Sequence, residues 1–218
     1  MIRLLAIGLM LQVSATVLAA TGNPGASAPQ AEDQRVINDF ARCVVKIRPR
    51  SVEAAIKTFP GSAEASNALG KVLDPACMPD GEVNPDPILL RGGLYEALYE
   101  AEFGTRGPLA LPAGLKVDYA QGSDLTKPAE AGQVVLRQFA DCVVRANTGS
   151  AHRLVLSKVG STEEEAAFDA LAPTLGPCLQ KDATIKVSRP VLRSLIAETL
   201  YRLSIQARAQ MTQGAESA

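Results

Sequence analysis

The chain has 218 residues, of which 47% are hydrophobic, 21% are charged and 4% are aromatic, and its formal net charge is −1. This composition is that of a globular protein and excludes a disordered chain, while the near-neutral charge excludes the polybasic surface of a nucleic-acid-binding domain. Because tryptophan is absent, the core must consist mainly of Ala, Leu, Val and Ile, which favours packed helices over a β-sandwich.

The N-terminal segment predicts export. Residues 1–20 carry one early cation, Arg3, then an uncharged, mostly apolar run over 4–18, and they end in two alanines. Such a segment is typical of a cleaved secretory signal. A retained anchor is the alternative, but the run is shorter than the roughly 20 residues that span a membrane. We therefore expect a periplasmic or secreted protein with no membrane association after cleavage, and a flexible spacer at the Gly-, Pro- and Ser-rich residues 21–30.

Two copies of one sequence pattern follow. The residues FARCVV at 40–45 return as FADCVV at 139–144, and in both copies the surrounding apolar residues recur at helical spacing. A Gly-Ser pair at 61–62, and again at 160–161, predicts the end of one helix and the N-cap of the next.

The duplication predicts an all-α protein of two tandem, disulfide-linked helical repeats with about four helices each. We place repeat 1 at 31–104, a linker at 105–130, repeat 2 at 131–208 and a flexible tail at 209–218. The first and last helices of each repeat should form its core, and a pseudo-twofold axis should relate the two repeats. Residues 115–119 and 183–187 also have the pattern of minor short strands.

The last helix of each repeat carries the best candidates for a polar site. Arg, Glu and Tyr recur in register, as Arg91, Glu96 and Tyr99 in repeat 1 and as Arg193, Glu198 and Tyr201 in repeat 2. At about 100° per residue, the three side chains of one helix can line one edge of a groove. A structural role is the alternative, with the Arg packed against loop carbonyls and the sister helix, and the Tyr hydroxyl reaching the surface.

Four cysteines behind an export signal predict disulfide bonds. Three pairings exist, and the duplication favours the one that stays within each repeat, Cys43 with Cys77 and Cys142 with Cys178. A four-thiolate metal site is the alternative, which the wide cysteine spacing and the oxidising compartment disfavour. We therefore expect no metal and no other cofactor.

The succession of FAxCVV, Gly-Ser-x-Glu, Cys and LRxxxxExLY, present twice across residues 31–205, resembles a group of small, exported, uncharacterised alphaproteobacterial proteins. The resemblance implies the repeat unit and export, and it implies no activity, ligand or catalytic residue. Repeat 1 departs from repeat 2 at Gly93, at Tyr95 and in the Pro-rich loop 79–87, so the two copies need not bind alike.

Sequence motifs for catalysis are missing. The single histidine, His152, lies two residues from Ser150, so the two side chains face different directions on a helix, and no neighbour in the sequence orients the imidazole. His152 matches Glu53 of repeat 1, which predicts a variable surface position. The sequence contains no phosphate-binding loop, dinucleotide fingerprint or metalloprotease helix.

The sequence therefore favours a non-enzymatic periplasmic or secreted module that binds a protein or a small ligand. An envelope enzyme or enzyme inhibitor that acts through the cleft between the repeats is one alternative, which a perturbed Arg/Glu pair in a deep pocket would favour. A carrier of a small apolar ligand is another, which an internal cavity lined by Val, Leu and Ala would favour.

Overall fold

A computed structural model describes residues 28–78, 85–180 and 185–216. These residues form eight α-helices and one 3₁₀ turn, Pro75–Cys77, with no strand. The helices are α1 (Ala28–Ile47), α2 (Pro49–Lys57), α3 (Ala63–Gly70), α4 (Pro87–Phe103), α5 (Pro128–Ala146), α6 (Thr148–Leu156), α7 (Thr162–Cys178) and α8 (Arg189–Glu216). The predicted all-α class is confirmed, and the predicted signal, residues 1–20, lies outside the described residues.

The predicted strand at 115–119 is wrong. These residues are irregular, and their carbonyls accept hydrogen bonds from arginine side chains: Leu115 O from Arg145 Nη2 at 2.7 Å and Asp118 O from Arg202 Nη2 at 2.9 Å. Backbone groups near a core need partners, and here side chains supply them where a neighbouring strand would have done so. Residues 185–187 are irregular too, while 183 and 184 lie outside the described residues.

The same order of four helices occurs twice, in a first unit of α1–α4 and a second unit of α5–α8. The predicted helix ends at the two Gly-Ser pairs are confirmed. Gly61 and Gly160 have φ of +83° and +77°, a conformation that glycine adopts without strain. Ser62 and Ser161 then cap α3 and α7, each accepting a hydrogen bond from a backbone N–H in the first turn.

Three helix boundaries differ from the predicted ones. α1 begins inside the predicted spacer and α5 inside the predicted linker, each about three residues early, which is an ordinary uncertainty of helix ends. The larger difference is α8, which continues to Glu216 through most of the predicted flexible tail. Arg208, at the predicted end of repeat 2, binds Glu102 at 2.6 Å and lies over the ring of Phe103, both on α4. Beyond it, residues 209–213 are exposed.

Both predicted disulfides are present. Cys43 of α1 is bonded to Cys77 in the 3₁₀ turn, and Cys142 of α5 is bonded to Cys178 at the end of α7, each with a Cα–Cα distance of 5.6 Å. Within the described ranges, no group of three or more His, Cys, Asp or Glu side chains could hold a metal ion. None of the described helices has the length and apolar character needed to cross a membrane.

The two units share part of their core. α1 packs on α4 and α5 on α8, as predicted, and α4 and α8 form the most extensive helix pair of the protein. The C-terminal half of α4 reaches into the second unit, where Tyr95, Tyr99 and Phe103 belong to the same buried cluster as Leu154 and Ile196. The second unit is therefore completed by a helix of the first.

Gly92 and Ser194 mark the crossing of α4 and α8. They occupy the same position in the two repeats, directly after Arg91 and Arg193, and they face each other so closely that a Cβ on Gly92 would lie 2.2 Å from Ser194 Cβ and 2.7 Å from its Cα. Contact between equivalent residues is what a local twofold axis between the units requires.

We expect Gly92→Ala to lower the free energy of unfolding by about 1–3 kcal/mol, because overpacking at the crossing outweighs the roughly 1 kcal/mol that alanine adds to a helix interior. Urea unfolding measures the change. Gly132→Ala in α5 is the matched control, since a Cβ there meets nothing within 4 Å and should leave stability unchanged or raised. A Gly92→Ala protein as stable as the control would contradict this description of the crossing.

Candidate functional site

The six residues predicted for a polar site all lie on α4 and α8, but they do not line one edge of a groove. The structure pairs the Arg of each helix with the Glu of the other, Arg193 with Glu96 and Arg91 with Glu198. All four side chains are buried. Together with Arg137 of α5 they form a central charged cluster between the two units.

Arg193 is the most highly bonded member of this cluster. Its Nε and Nη2 donate to the two carboxylate oxygens of Glu96 at 2.9 and 2.8 Å, and Nη1 donates to Glu164 at 2.8 Å. Its other hydrogen bonds go to Val155 O and to Ser157 O and Oγ. Burial alone would lower the pKa of Arg193, but the two carboxylates outweigh it and raise that pKa. The bidentate pair joins the two units through an arginine that is only 1% exposed.

Glu198 is the second buried carboxylate, and three arginines surround it. Arg137 Nε and Nη2 reach Glu198 Oε2 at 3.0 and 2.9 Å, Arg202 Nη1 lies 3.4 Å from Oε1, and Arg91 Nε lies 3.7 Å from Oε2. Burial by itself would raise the pKa of Glu198, but the arginine charges hold it below the ordinary value. This carboxylate therefore stays ionised inside the protein.

Sequence reasoning missed Arg137. The equivalent residue of the first copy, Asn38, donates to Glu96 at 2.9 Å, so one position holds the buried Glu in both units, once as an amide and once as a guanidinium. The available signal was the repeated Gln34 and Gln133, one helical turn earlier. Residues at i and i+4 are neighbours on a helix surface, so the repeated glutamine marks the side of the helix on which Asn38 and Arg137 lie.

Arg91 differs from its counterpart Arg193. It donates to Ala55 O at 2.9 Å, to Ile56 O at 2.7 Å and to Tyr95 Oη at 3.2 Å. Its Nε has no hydrogen-bond partner among the described residues, although Arg91 is only 4% exposed. One buried donor of the cluster is therefore unsatisfied, which is uncommon in folded proteins.

The two tyrosines of the predicted site are far less alike than the sequence indicates. Tyr201 donates to Glu102 at 2.8 Å, whereas Tyr99 is fully buried with its hydroxyl 2.8 Å from Nδ1 of His152. The prediction that no partner orients the imidazole of His152 is wrong, while the side chain itself is partly exposed. Burial lowers the pKa of His152 and raises the pKa of Tyr99 to about 12. The contact arises because α4 crosses into the second unit and reaches α6.

An open groove of about 780 Å³ lies between the units, beside the charged cluster. We call it the tyrosine groove, because three of the four tyrosines of the chain line it. Its apolar and aromatic walls are Ile56, Phe59, Tyr95, Leu98, Tyr119, Tyr201 and Ile205, and its charged residues include Lys57, Glu102 and Arg202. Burial raises the pKa of Tyr95 to about 12, so its hydroxyl is a neutral hydrogen-bonding group at physiological pH.

Comparisons with protein-family models, curated proteins and solved structures find no match for this chain. The central charged cluster is enclosed, and its arginines are mostly engaged by carboxylates and carbonyls of the protein. The tyrosine groove is accessible, and it presents aromatic rings together with both signs of charge.

Proposed function

We propose that this protein is an exported, non-enzymatic binding module whose tyrosine groove receives a segment of a partner protein. The groove between the two units is the observation that carries the proposal, because it is an accessible concave surface of about 780 Å³ with aromatic walls. Concave sites with aromatic walls and a few polar groups are the usual places for recognition.

The form of the groove favours a protein segment over a small molecule. Small-molecule pockets enclose most of the surface of their ligand, whereas this groove is open along one side. Tyrosine is enriched at protein interfaces, since its ring contributes contact area and its hydroxyl bonds to a partner. Tyr119 and Tyr201 contribute their rings to the groove, and their hydroxyls, which donate to Asp141 and Glu102, keep the capacity to accept a hydrogen bond. Lys57 and Glu102 place charges of both signs in the lining.

Export is supported by the two disulfide bonds, Cys43–Cys77 and Cys142–Cys178. Disulfides persist in oxidising compartments and are rare in the cytosol. They fit the secretory signal that the sequence predicts at residues 1–20. A fold stabilised by disulfide bonds suits a protein that works outside the cytoplasm.

A non-enzymatic role is supported by the bonding of the recurring charged residues. Arg193 donates six hydrogen bonds to other groups of the protein, and Glu198 is surrounded by arginines. Groups held in this way join helices together. The pKa of Arg193 is raised and the pKa of Glu198 is lowered, so both side chains stay charged and neither is ready to exchange a proton.

Peptide selection tests the proposal. A library of random peptides displayed on phage is selected on the oxidised protein, and enriched sequences are synthesised and titrated. We expect them to bind the wild type and to bind the Ile205→Arg protein about tenfold more weakly, because the new charge lies in the groove wall. Met211→Arg on the same helix is the control, since Met211 is 50% exposed and does not line the groove.

Two results would overturn the proposal. One is a selection that enriches nothing beyond what an unrelated disulfide-bonded protein enriches. The other is a set of peptides that bind the Ile205→Arg and Met211→Arg proteins equally well.

A further inference from the structure

Two smaller pockets lie at equivalent places in the two units. The Arg91 pocket has a volume of about 260 Å³ and the Arg193 pocket about 200 Å³. In each, a wall comes from the Gly-Ser turn and the helix that follows it, and an opposite wall comes from the first helix of the other unit, Gln133 in one case and Gln34 in the other. The duplication has therefore produced the same pocket twice.

The two pockets differ in whether a carboxylate of the protein itself binds the arginine in the pocket wall. In the Arg193 pocket, the carboxylate of Glu164 binds Arg193 Nη1 at 2.8 Å. The residue at the same position of the first copy, three residues after the serine N-cap, is Ala65. The Arg91 pocket thus lacks the carboxylate that its counterpart contains, and it keeps the space that a side chain would occupy.

The buried side chains have a net negative charge around the Arg193 pocket and a net positive charge around the Arg91 pocket. Arg193 faces two carboxylates, Glu96 and Glu164. Arg91 and Arg137 share a single carboxylate, Glu198, so this side has one positive charge in excess. A second carboxylate, Asp86, lies at the rim and is committed to capping α4 through the N–H groups of its first turn.

Arg91 also differs from Arg193 in the bonding of its Nε. Arg91 Nε has no hydrogen-bond partner among the described residues and lies 3.7 Å from Glu198 Oε2, whereas Arg193 Nε donates to Glu96 at 2.9 Å. Buried guanidinium groups normally have all their N–H groups bonded, so Arg91, which lines the cavity, is less fully compensated by the protein than its counterpart.

The apolar part of the Arg91 pocket is formed by Pro60, Ala65, Leu69, Ile88 and Leu195, and the polar residues Ser66, Gln133, Ser194 and Glu198 also line it. At about 30 Å³ for each water-sized group, the cavity has room for roughly eight such groups. This size and lining suit one carboxylate with a short hydrocarbon chain.

We propose that the Arg91 pocket binds a small carboxylic acid with an apolar group of about four to seven carbons. The ligand carboxylate takes the role that Glu164 has in the second unit and lies beside the excess charge of Arg91 and Arg137. The hydrocarbon chain lies against Leu69, Ile88 and Leu195. This pocket shares Pro60 and Arg91 with the lining of the tyrosine groove, but Ala65 lines only this pocket and Ile205 only the groove, so the two proposals are tested by different substitutions and either can fail while the other stands.

Calorimetric titration of the full oxidised protein tests this site with sodium hexanoate as the probe. We expect saturable binding of one hexanoate per chain, about tenfold tighter than acetate, which has the charge without the chain, and than hexan-1-ol, which has the chain without the charge. Butanoate and octanoate define the length that the cavity accepts. No saturable binding of any of the three longer acids, or equal binding of hexanoate and its two controls, would overturn the proposal.

A designed variant gives the first unit the residue that the second unit has at the equivalent position. Ala65→Glu places a carboxylate where the second unit has Glu164, and we expect it to abolish hexanoate binding by occupying the site. Asn67→Glu is the matched control, because it adds the same charge at an exposed position of α3 that does not line this pocket. Hexanoate should bind to this control and to the wild type alike.

If Ala65→Glu fails to fold, Ser66→Glu replaces it. Ser66 is exposed at the mouth of the pocket, so the substitution should fold and should weaken hexanoate binding about threefold or more through charge repulsion. Undiminished affinity in whichever of the two variants folds would overturn the assignment of the ligand to this pocket.

Discussion

Arg193→Met should lower the free energy of unfolding by about 3–5 kcal/mol, as expected when one partner of a buried ion pair is removed. The substitution keeps the apolar part of the side chain but leaves Glu96 with Asn38 as its remaining hydrogen-bond donor. It also releases Glu164 and the carbonyls of Val155 and Ser157. Because Arg193 and Glu96 lie on α8 and α4, the loss falls on the contact between the two units.

Urea unfolding of the variant is compared with that of Arg42→Met. Arg42 also pairs with a glutamate of α4, Glu100, but its side chain is 41% exposed, and exposed pairs contribute about 1 kcal/mol or less. The double variant Arg193→Met/Glu96→Leu should regain part of the loss, since it removes the uncompensated charge. Equal stabilities of the Arg193→Met and Arg42→Met proteins would show that the buried pair does not hold the units together.

Removing the Cys43–Cys77 bridge should cost about 4 kcal/mol, and removing Cys142–Cys178 should cost less. The closed loops span 34 and 36 residues, so the entropic effect on the unfolded chain is nearly the same for both. The difference comes from the folded state. Cys77 is buried in the small core of the first unit, where its removal leaves a cavity as well.

The segment before Cys77 is held by the buried Val72 and by the pair of Asp74 with Arg48, but not by a continuous helix. α3 ends at Gly70, and the 3₁₀ turn Pro75–Cys77 follows after an irregular stretch. In the second unit, α7 is helical up to Cys178, which is only partly buried. The double variants Cys43→Ala/Cys77→Ala and Cys142→Ala/Cys178→Ala, unfolded in parallel by urea, measure the two losses. An equal or larger loss for the second pair would contradict the inferred dependence of the first unit on its bridge.

Several features of the fold follow from local sequence. The apolar spacing around residues 40–45 and 139–144 predicts helices because the helical period is a property of the chain itself. The Gly-Ser pairs at 61–62 and 160–161 predict turns because only glycine adopts positive φ freely, and serine caps the next helix. The cysteine pairing follows from the duplication, since each copy keeps the bridge that lies within it.

The candidate site could be predicted only in part. The recurrence in register singles out Arg91, Glu96, Arg193 and Glu198, and the structural alternative places the Arg against loop carbonyls and the sister helix, where Arg193 indeed contacts Val155 O, Ser157 O and Glu96. The particular ion pairs do not follow from the sequence. The sequence indicated a set of side chains along one helix, whereas the structure pairs Arg193 with Glu96 across two helices and adds Arg137 from a third. Ion-pair partners depend on which helices meet, and that information is absent from the periodicity of any single helix.

By itself, the sequence determined an all-α chain, its duplication, its helix-ending turns and its two disulfides, because each of these depends on residues close in the chain or on the likeness of the copies. Only the tertiary structure decided how α4 and α8 cross at Gly92 and Ser194. That crossing buries the charged cluster, brings Tyr99 to His152 and opens the tyrosine groove. The physical reason is that it depends on the close approach of two backbones about a hundred residues apart, which no local pattern specifies.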